Sequence, residues 1–489
     1  MNTVLMLIMI LLPAAAGIAL PVLKLKNRTG KCCLLFAVLL IEAVCAGMLL
    51  FADEAELTLF SMTQTLTVAL RMDAVSKIFM SIAAFGFLLA GVFAFRYMDH
   101  SKREDSFFSF YLLSLGALMG MDFSKNLITM YLFFEMITLL SMPMVLHDRT
   151  QESVRAALKY LFYSIAGAFL ALCCIFFLAR YSTTLDFTAG ENLNMAAVSG
   201  HESLLLTVIF LGVVGFGAKA GMYPLHGWLP TAHPVAPAPA SAVLSGIIAK
   251  AGVLAILRIV FYCVGTDFLV GTWVQYAWLG LALLTVFMGS MMAYREKAFK
   301  KRLAYSSVSQ ISYVLVGLFL MTSQSVLGGL LHVVFHASIK VCLFLVAGSF
   351  IYNTGKHNVE DYRGFGKSMP ITLWAFTIAS LALIGIPPAS GFVSKWYLAT
   401  GALDSGLPVF SWLAPVILLV SALLTAGYLL PITISGFFPG KDFKAPARTK
   451  EGGIVMWLPI AMLAALTLLL GIFAGPLVSA LSPLASSLT

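Results

Sequence analysis

Stretches of about 20 residues with almost no charge recur along the whole of this chain, and no other feature limits its fold so tightly. A helix of that length crosses the hydrocarbon core of a bilayer with its backbone N–H and C=O groups satisfied internally, which open sheets and irregular loops cannot do. The first stretch, beginning VLMLIMILL, is followed by no small-residue cleavage pattern and by further stretches of the same kind. It therefore reads as a retained helix and not as a signal peptide. Hydrophobic residues make up 60% of the 489 and charged residues 11%, shares that exclude an ordinary soluble domain. The expectation is an all-α integral membrane protein of about fourteen transmembrane helices, at roughly 2–22, 31–51, 72–95, 106–121, 126–146, 154–179, 203–225, 239–262, 271–293, 303–321, 326–351, 370–400, 409–435 and 453–477.

A net charge of +9 would suit a nucleic-acid binder, yet the lysines and arginines sit in short clusters between the apolar runs. Clusters at Lys24–Lys31, Arg96–Arg103, Arg149–Arg155, Arg295–Arg302, Lys356–Lys367 and Lys441–Lys450 occupy every second linker. The intervening linkers hold few basic residues and several acids, among them Asp53, Glu54, Glu56, Asp186, Glu191, Glu202 and Asp404. By the positive-inside rule both termini are expected outside. One missed helix would reverse the pattern downstream, so its regularity supports the helix count. The seven cysteines lie in or beside apolar runs with no CxxC pair and no His/Cys metal spacing; they read as packing residues.

Two of the runs contain breakers. GFGAKAGMYPLHGWLP holds Pro224 and Pro230, LALIGIPPASGFVSKWYL holds Pro387 and Pro388, and each has a lysine close by, Lys219 and Lys395. The spacing that carries Lys219 onto Lys395 also carries Lys159 next to His336. Discontinuous helices in corresponding places of two halves point to an inverted-repeat transporter with its site near the midplane. The expected organisation is an N-terminal three-helix segment (1–100), a first five-helix repeat (101–265), a second inverted five-helix repeat (266–436) and a C-terminal helix (437–489), with helices seven and twelve broken.

A charged side chain at the centre of a membrane helix costs roughly 2.5 to 3.5 kcal/mol on the insertion scale. Here Lys159, Lys219, Lys250, Lys340, Lys395 and Glu135 all sit inside apolar runs. Their summed penalty, of order 15 kcal/mol on that scale, implies that they face one another or water. Glu135, in NLITMYLFFEMITLL, needs a partner from another helix, and Lys219 beside its helix break is the expected one; a static pair that only fixes packing is the competing reading. Burial and a neighbouring carboxylate move a lysine's proton affinity in opposite senses, which makes Lys219 and Lys250 candidate proton carriers. For Lys250 the alternative is a lysine satisfied by carbonyls of a neighbouring helix, and for Lys159 it is snorkelling to the inner surface.

LLHVVFHASIKVCLF sets His332, His336 and Lys340 at successive four-residue steps, on one face of a helix over about 12 Å. Histidine titrates nearest neutral pH, so this file suits proton relay. Haem ligation by His332 and His336 is a rival, weakened because both ligands would lie on one side of the ring. Glu42, in LLIEAVCAGM, is functional or pairs with a neighbouring subunit. Asp73 and Lys77 have the spacing of a helix-start pair, and His226 and His233 are either gating residues or interfacial loop residues.

The segments LFFEMITLLS, FGAKAGMYPLHGWLPTAHPVAPAPASAVLSGIIAKAGV, HASIKVCLFLVAG and GIPPASGFVSKWYL resemble the antiporter-like proton-conducting subunits shared by Mrp-type cation/proton antiporters, membrane-bound hydrogenases and respiratory complex I. The resemblance spans about residues 70 to 435 and looks most like the D-type member of Mrp antiporters, although His332 and Glu42 depart from it. It implies roles in proton translocation for Glu135, Lys219, Lys250, His336, Lys340 and Lys395, and a half-channel in each half joined by a central polar file. The expected function is a proton-conducting subunit of a multisubunit monovalent cation (Na+)/proton antiporter in the plasma membrane of a prokaryote, with other membrane subunits as partners and no cofactor or redox centre of its own. The alternative is a pumping subunit of a hydrogenase or NADH:quinone oxidoreductase complex. A haem- or quinone-carrying membrane redox enzyme comes third, since the chain has no CxxCH, iron–sulfur or dinucleotide motif.

Overall fold

A computed structural model describes residues 1–23, 27–63, 66–188, 192–440 and 450–489. Lys24, Lys26, Glu191, Lys441, Lys444 and Arg448, which entered the charge pattern, lie outside the described residues. The fold is mostly helical, at 78%. The helices α1 (Asn2–Leu23) and α2 (Arg28–Leu50) lead into an antiparallel hairpin of β1 (Ala55–Ser61) and β2 (Thr67–Met72), with Ala55 opposite Met72. Then come α3 (Ala74–Tyr97), α4 (Glu104–Asp122), α5 (Leu127–Val145), α6 (Gln151–Tyr181), the one-turn α7 (Met195–Val198), α8 (Glu202–Ala220) and α9 (Leu229–Val235). After α10 (Ala238–Val264) follow α11 (Trp273–Arg295), α12 (Phe299–Leu320), α13 (Ser323–Thr354), α14 (Pro370–Ile384), α15 (Ser390–Leu403), α16 (Phe410–Phe437), α17 (Ile454–Ile472) and α18 (Ala474–Leu488).

Among the described residues, twelve helices are long and apolar enough to cross a membrane, or up to 13 when the bent pair formed by Val359–Lys367 and α14 is taken as one span. Twelve of the fourteen expected runs fall on them. The run at 106–121 falls on α4, a helix that includes Glu104, Asp105 and Asp122, and the run at 370–400 falls on α14 and α15, each too short to span alone. The hairpin, α7 and α18 had no counterpart in the apolar-run reading, because short strands and amphipathic helices carry no long apolar signature.

Helix starts follow local capping chemistry. Asn126 accepts from the Thr129 N–H at 2.8 Å to begin α5, Thr150 from the Ser153 N–H at 3.1 Å to begin α6, and Thr322 and Ser325 form a capping box at the start of α13. Each satisfies N–H groups that a helix end leaves free.

Burial separates the helices into an inner and an outer set. The inner helices α10, α12 and α13 are buried along almost their whole length, whereas α1, α16 and α17 turn most of their surface outward. Residues such as Leu11, Leu419, Leu423 and Leu469 are large, apolar and exposed, as lipid-facing positions are. Cys33 and Cys173 are also exposed, so the packing role read for the cysteines applies to Cys45, Cys174, Cys263 and Cys342, which are buried. The inner helices are the ones that carry Lys250, His332, His336 and Lys340.

Candidate functional site

Both expected breaks are real interruptions, and each begins at a glycine in the left-handed region. Gly221 (φ 78°) ends α8 and Gly385 (φ 94°) ends α14, a conformation that side-chain-bearing residues rarely adopt. The carbonyls freed at the two ends find different donors. At the first break, Ala218 accepts from the buried Trp228 indole at 2.8 Å. At the second, the carbonyls of Leu383 and Ile384 accept from the Lys395 amine at 2.6 and 2.8 Å. Lys219 thus precedes its break while Lys395 follows its own and reaches back across it, so the two lysines are not geometric equivalents. Pro224, Pro387 and Pro388 are exposed within these turns.

Lys219 is fully buried, and its amine donates to the Phe134 carbonyl at 2.8 Å and the Thr138 hydroxyl at 2.6 Å, 4.1 Å above the Phe134 ring. The expected ion pair with Glu135 is not formed. Glu135 is half-buried, and its Oε1 has no hydrogen-bond partner among the described residues. The physical reason is helical geometry: Phe134 and Thr138 lie four residues apart on the face of α5 turned to α8, and Glu135 is rotated about 100° away from Phe134. Lys159, in α6, is half-buried beside the Tyr163 ring at 5.9 Å.

Lys250 is reached through a close helix approach. A Cβ on Gly252 would lie 2.6 Å from the Ala220 nitrogen and 2.7 Å from the Phe216 oxygen, so only glycine lets α10 pack against the end of α8 that bears Lys219. Immediately before Lys250, α10 takes a π-turn over Leu244–Ile248, a widening often found at functional positions. The Lys250 amine donates to the Ser245 carbonyl at 3.2 Å.

From Lys250 the polar contacts run on without leaving the core. The hydroxyls of Ser245 and Ser307 are 2.5 Å apart; Ser307 donates to the Leu303 carbonyl at 2.9 Å, and Lys340 donates to that same carbonyl at 2.9 Å and also to the Ser306 hydroxyl. One turn along α13, the rings of His336 and His332 stack with centroids 5.8 Å apart, and His332 stacks in turn on Tyr313 at 5.5 Å. His332 Nδ1 is 2.9 Å from the Ser394 hydroxyl, whose neighbour Lys395 lies 5.0 Å above the Tyr313 ring. Neither ring nitrogen of His336 has a partner among the described residues. Buried polar groups are almost always hydrogen-bonded, so such a position calls for water.

The structure thus brings Lys250, Lys340, His336, His332 and Lys395 into one file, while Glu135, Lys159 and Lys219 lie on the other side of the Gly252 contact. Sequence reading missed Arg258 altogether. It is 2% exposed, makes a two-pronged ion pair with Asp73 at 2.6 and 2.8 Å, and is sandwiched by Phe187 and Tyr262 at 4.9 and 4.7 Å. The signal was present, since Arg258 lies inside an apolar run as Lys250 does. The Asp73–Lys77 pair is consequently corrected: Asp73 caps α3 through the Ser76 N–H at 2.9 Å and pairs with Arg258, and Lys77 donates to the Ala52 carbonyl at 2.6 Å. Glu42 is fully covered by this chain's own helices, and neither of its oxygens has a partner among the described residues. His226 is half-buried against Tyr223, whereas His233 is completely buried.

Residues 124–425 match the family model described as NADH:quinone oxidoreductase/Mrp antiporter, TM. Over 399 residues the chain is 33% identical to the N subunit of NADH-quinone oxidoreductase from Desulforudis audaxviator (strain MP104C), covering 80% of this chain and 77% of that one. Over 391 residues it is 30% identical to the D component of the Na(+)/H(+) antiporter from Alkalihalophilus pseudofirmus, covering 79% and 76%. Its fold superposes on a chain of the Mrp complex from Dietzia sp. DQ12-45-1b with a TM-score of 0.87 at 22% identity, covering 100% of this chain and 97% of that one. It superposes as well on a chain of respiratory complex I from Thermus thermophilus with a TM-score of 0.83 at 23% identity, covering 100% of this chain and 99% of that one. The chain belongs to the family of antiporter-like membrane subunits found in Mrp antiporters, hydrogenases and NADH:quinone oxidoreductases.

Proposed function

We propose that this chain is the proton-conducting subunit of a multisubunit monovalent cation (Na+)/proton antiporter, and that protons move along Glu135, Lys159, Lys219, Lys250, His332, His336, Lys340 and Lys395. The observation that carries the reading is two stretches of buried polar contacts on neighbouring helices: Lys250 to the Ser245 carbonyl, the Ser245–Ser307 hydroxyl pair and the Leu303 carbonyl shared by Ser307 and Lys340, and, one turn along α13, the stacked His336 and His332 with Ser394 beside Lys395. A static structural network does not need two stacked imidazoles with open nitrogens in an apolar core; proton relay does. The proposed organisation keeps the segments 1–100, 101–265, 266–436 and 437–489. The order of α4, α5, α6, the broken α8–α9 and α10 supports it, because α11, α12, α13, the broken α14–α15 and α16 repeat it. The proposed setting is the plasma membrane of a prokaryote with both termini outside, supported by the alternating basic linkers.

The similarity to a component of a Na(+)/H(+) antiporter favours cation exchange. The similarity to part of an NADH-quinone oxidoreductase supports the second reading, a proton pump powered by redox chemistry elsewhere in its complex. Inverted vesicles holding the whole complex separate the two. A monovalent cation gradient drives proton movement without any electron donor under the first reading; movement that appears only on adding an electron donor and acceptor refutes it and selects the second.

A further inference from the structure

The two breaks are closed by different means. At the first, the Trp228 indole serves the freed Ala218 carbonyl from within the same segment. At the second, the donor to the carbonyls of Leu383 and Ile384 is the Lys395 amine, a group that the reading above has exchanging protons. An amine that moves on each passage releases those acceptors, so something else must keep the turn in place meanwhile. The turn has little packing of its own, because Ile386, Pro387 and Pro388 are exposed.

Behind the turn stands α17, which lies beyond residues 124–425 matched by the family model and outside both proposed repeats. A Cβ on Gly471 would lie 2.3 Å from the Pro388 oxygen, 2.5 Å from the Ser390 nitrogen and 2.6 Å from the Ala389 carbonyl carbon. The backbone of α17 thus sits directly on the turn, and only glycine lets it. Just before the start of α17, the Glu451 carboxylate accepts from the Thr372 N–H at 3.0 Å and from the Thr372 hydroxyl at 2.7 Å. That N–H is one of those the beginning of α14 leaves free, so a single helix holds α14 at both ends. Between these points α17 is fixed to α13: the Cys342 thiol donates to the Ile460 carbonyl at 3.7 Å, and the buried Thr467 hydroxyl lies 3.5 Å from that of Ser338, two residues from both His336 and Lys340.

We propose that α17 is a brace that holds the second break closed while Lys395 leaves its carbonyls, with Gly471 as the positioning residue that seats it. The brace takes its own place from α13, the helix that carries His332, His336 and Lys340, and so keeps Lys395 in register with them. Lys395 handles the proton; Gly471 acts only through the turn. The proposal rests on the proton-conducting reading above and gives the helix outside the two repeats a part in it.

The test uses the assembled complex in inverted vesicles and has two readouts. In Gly471→Ala the added Cβ forces the turn back by about 1 Å, and proton flux should fall by about a hundredfold at normal abundance of the complex, the scale of such a misplacement. Gly475→Ala, whose Cβ would meet nothing within 4 Å, should keep wild-type flux. The second readout is hydrogen exchange, by mass spectrometry, at the Gly385 and Ile386 N–H groups, each bonded to the Leu381 carbonyl at 3.0 Å. These should exchange about tenfold faster in Gly471→Ala and stay slow in Lys395→Ala, where the brace is intact. Glu451→Ala frees the other end of the brace without crowding any backbone and should speed the same exchange. Wild-type flux in assembled Gly471→Ala overturns the proposal. So does exchange that Lys395→Ala speeds as much as Gly471→Ala does, since the lysine would then be what holds the break. Should Gly471→Ala fail to assemble, Glu451→Ala decides, and unchanged exchange there overturns the proposal. Hydrogen exchange requires no proton conduction, so a failure of the proton-conducting reading shows in wild-type flux and a failure of the brace shows in the exchange of the variants.

Discussion

Lys219 donates to the backbone carbonyl of Phe134, 2.8 Å away, and not to the carboxylate of Glu135, the next residue in the chain. The acceptors that fasten the amine are therefore neutral, a carbonyl and the Thr138 hydroxyl, while the Glu135 carboxylate acts on it only from beyond ion-pair distance.

The consequence for substitution is specific. Lys219→Arg keeps a positive charge but cannot release a proton, since arginine stays protonated at any accessible pH. Flux should fall by about a hundredfold with the complex assembled, the lower end of the range for loss of an acid–base group. Thr138→Val, which removes one acceptor and leaves a buried donor short of a partner, should cost about 1 to 3 kcal/mol of stability. Proton flux in inverted vesicles, with abundance checked by immunoblot, tests the first; thermal unfolding of the purified complex tests the second. Near-normal flux in Lys219→Arg would make Lys219 a packing charge.

The Asp73–Arg258 pair joins the start of α3 to the far end of α10 and is almost fully buried. Removing one partner strands the other charge, so Arg258→Ala should destabilise the protein by about 3 to 5 kcal/mol. Replacing both, as in Asp73→Asn with Arg258→Gln, should recover part of that loss, because no bare charge remains. If the double variant melts no higher than Arg258→Ala alone, the pair is not the source of the effect.

Gly252 is where α10 and α8 touch backbone to backbone. Gly252→Leu must push the helices apart against Ala220 and Phe216 main-chain atoms, which cannot swing aside as a side chain can. Flux should drop more than stability, because Lys219 and Lys250 separate. Equal flux in Gly252→Leu and wild type would remove this contact from the pathway.

His147, in the loop after α5, bonds through its ring to the Ser101 hydroxyl at 2.8 Å. Burial holds its imidazole below the ordinary histidine value; Asp148 acts in the opposite direction and Arg103 in the same one. Protonation is thus favoured more in the unfolded chain than in the folded one. The sign follows: stability is retained above about pH 6.5 and is lost as pH falls from there towards the lowered folded value. Melting temperatures of the purified complex at a series of pH values should decline over that range, and less steeply in His147→Gln. Parallel curves for the two proteins would rule His147 out as the group responsible.

Orientation is open to labelling. In a cysteine-less background, Lys102→Cys should react with a membrane-impermeant thiol reagent only from the cytoplasmic side and Glu54→Cys only from outside, both positions being exposed. Labelling of Lys102→Cys in intact cells would reverse the proposed topology.

Membrane residence, the positions of most spanning helices and the two breaks were legible in the sequence by itself. Each is a local property: an apolar run of the right length, or a glycine and proline pair that cannot continue a helix. The sequence also named most of the titratable residues at depth, because one charge inside an apolar run stands out whatever surrounds it. Tertiary structure alone decided their partners. Arg258 meets Asp73 from 185 residues away, Lys219 takes the face of α5 beside Glu135 and not Glu135 itself, and His233, read as gating or interfacial, lies at the centre of the fold. Hydropathy and periodicity report what each segment prefers as solvent, averaged over a few turns. Which groups meet depends on the rotation and close approach of helices far apart in the chain, and here contacts as small as the missing side chain of Gly252 set that approach.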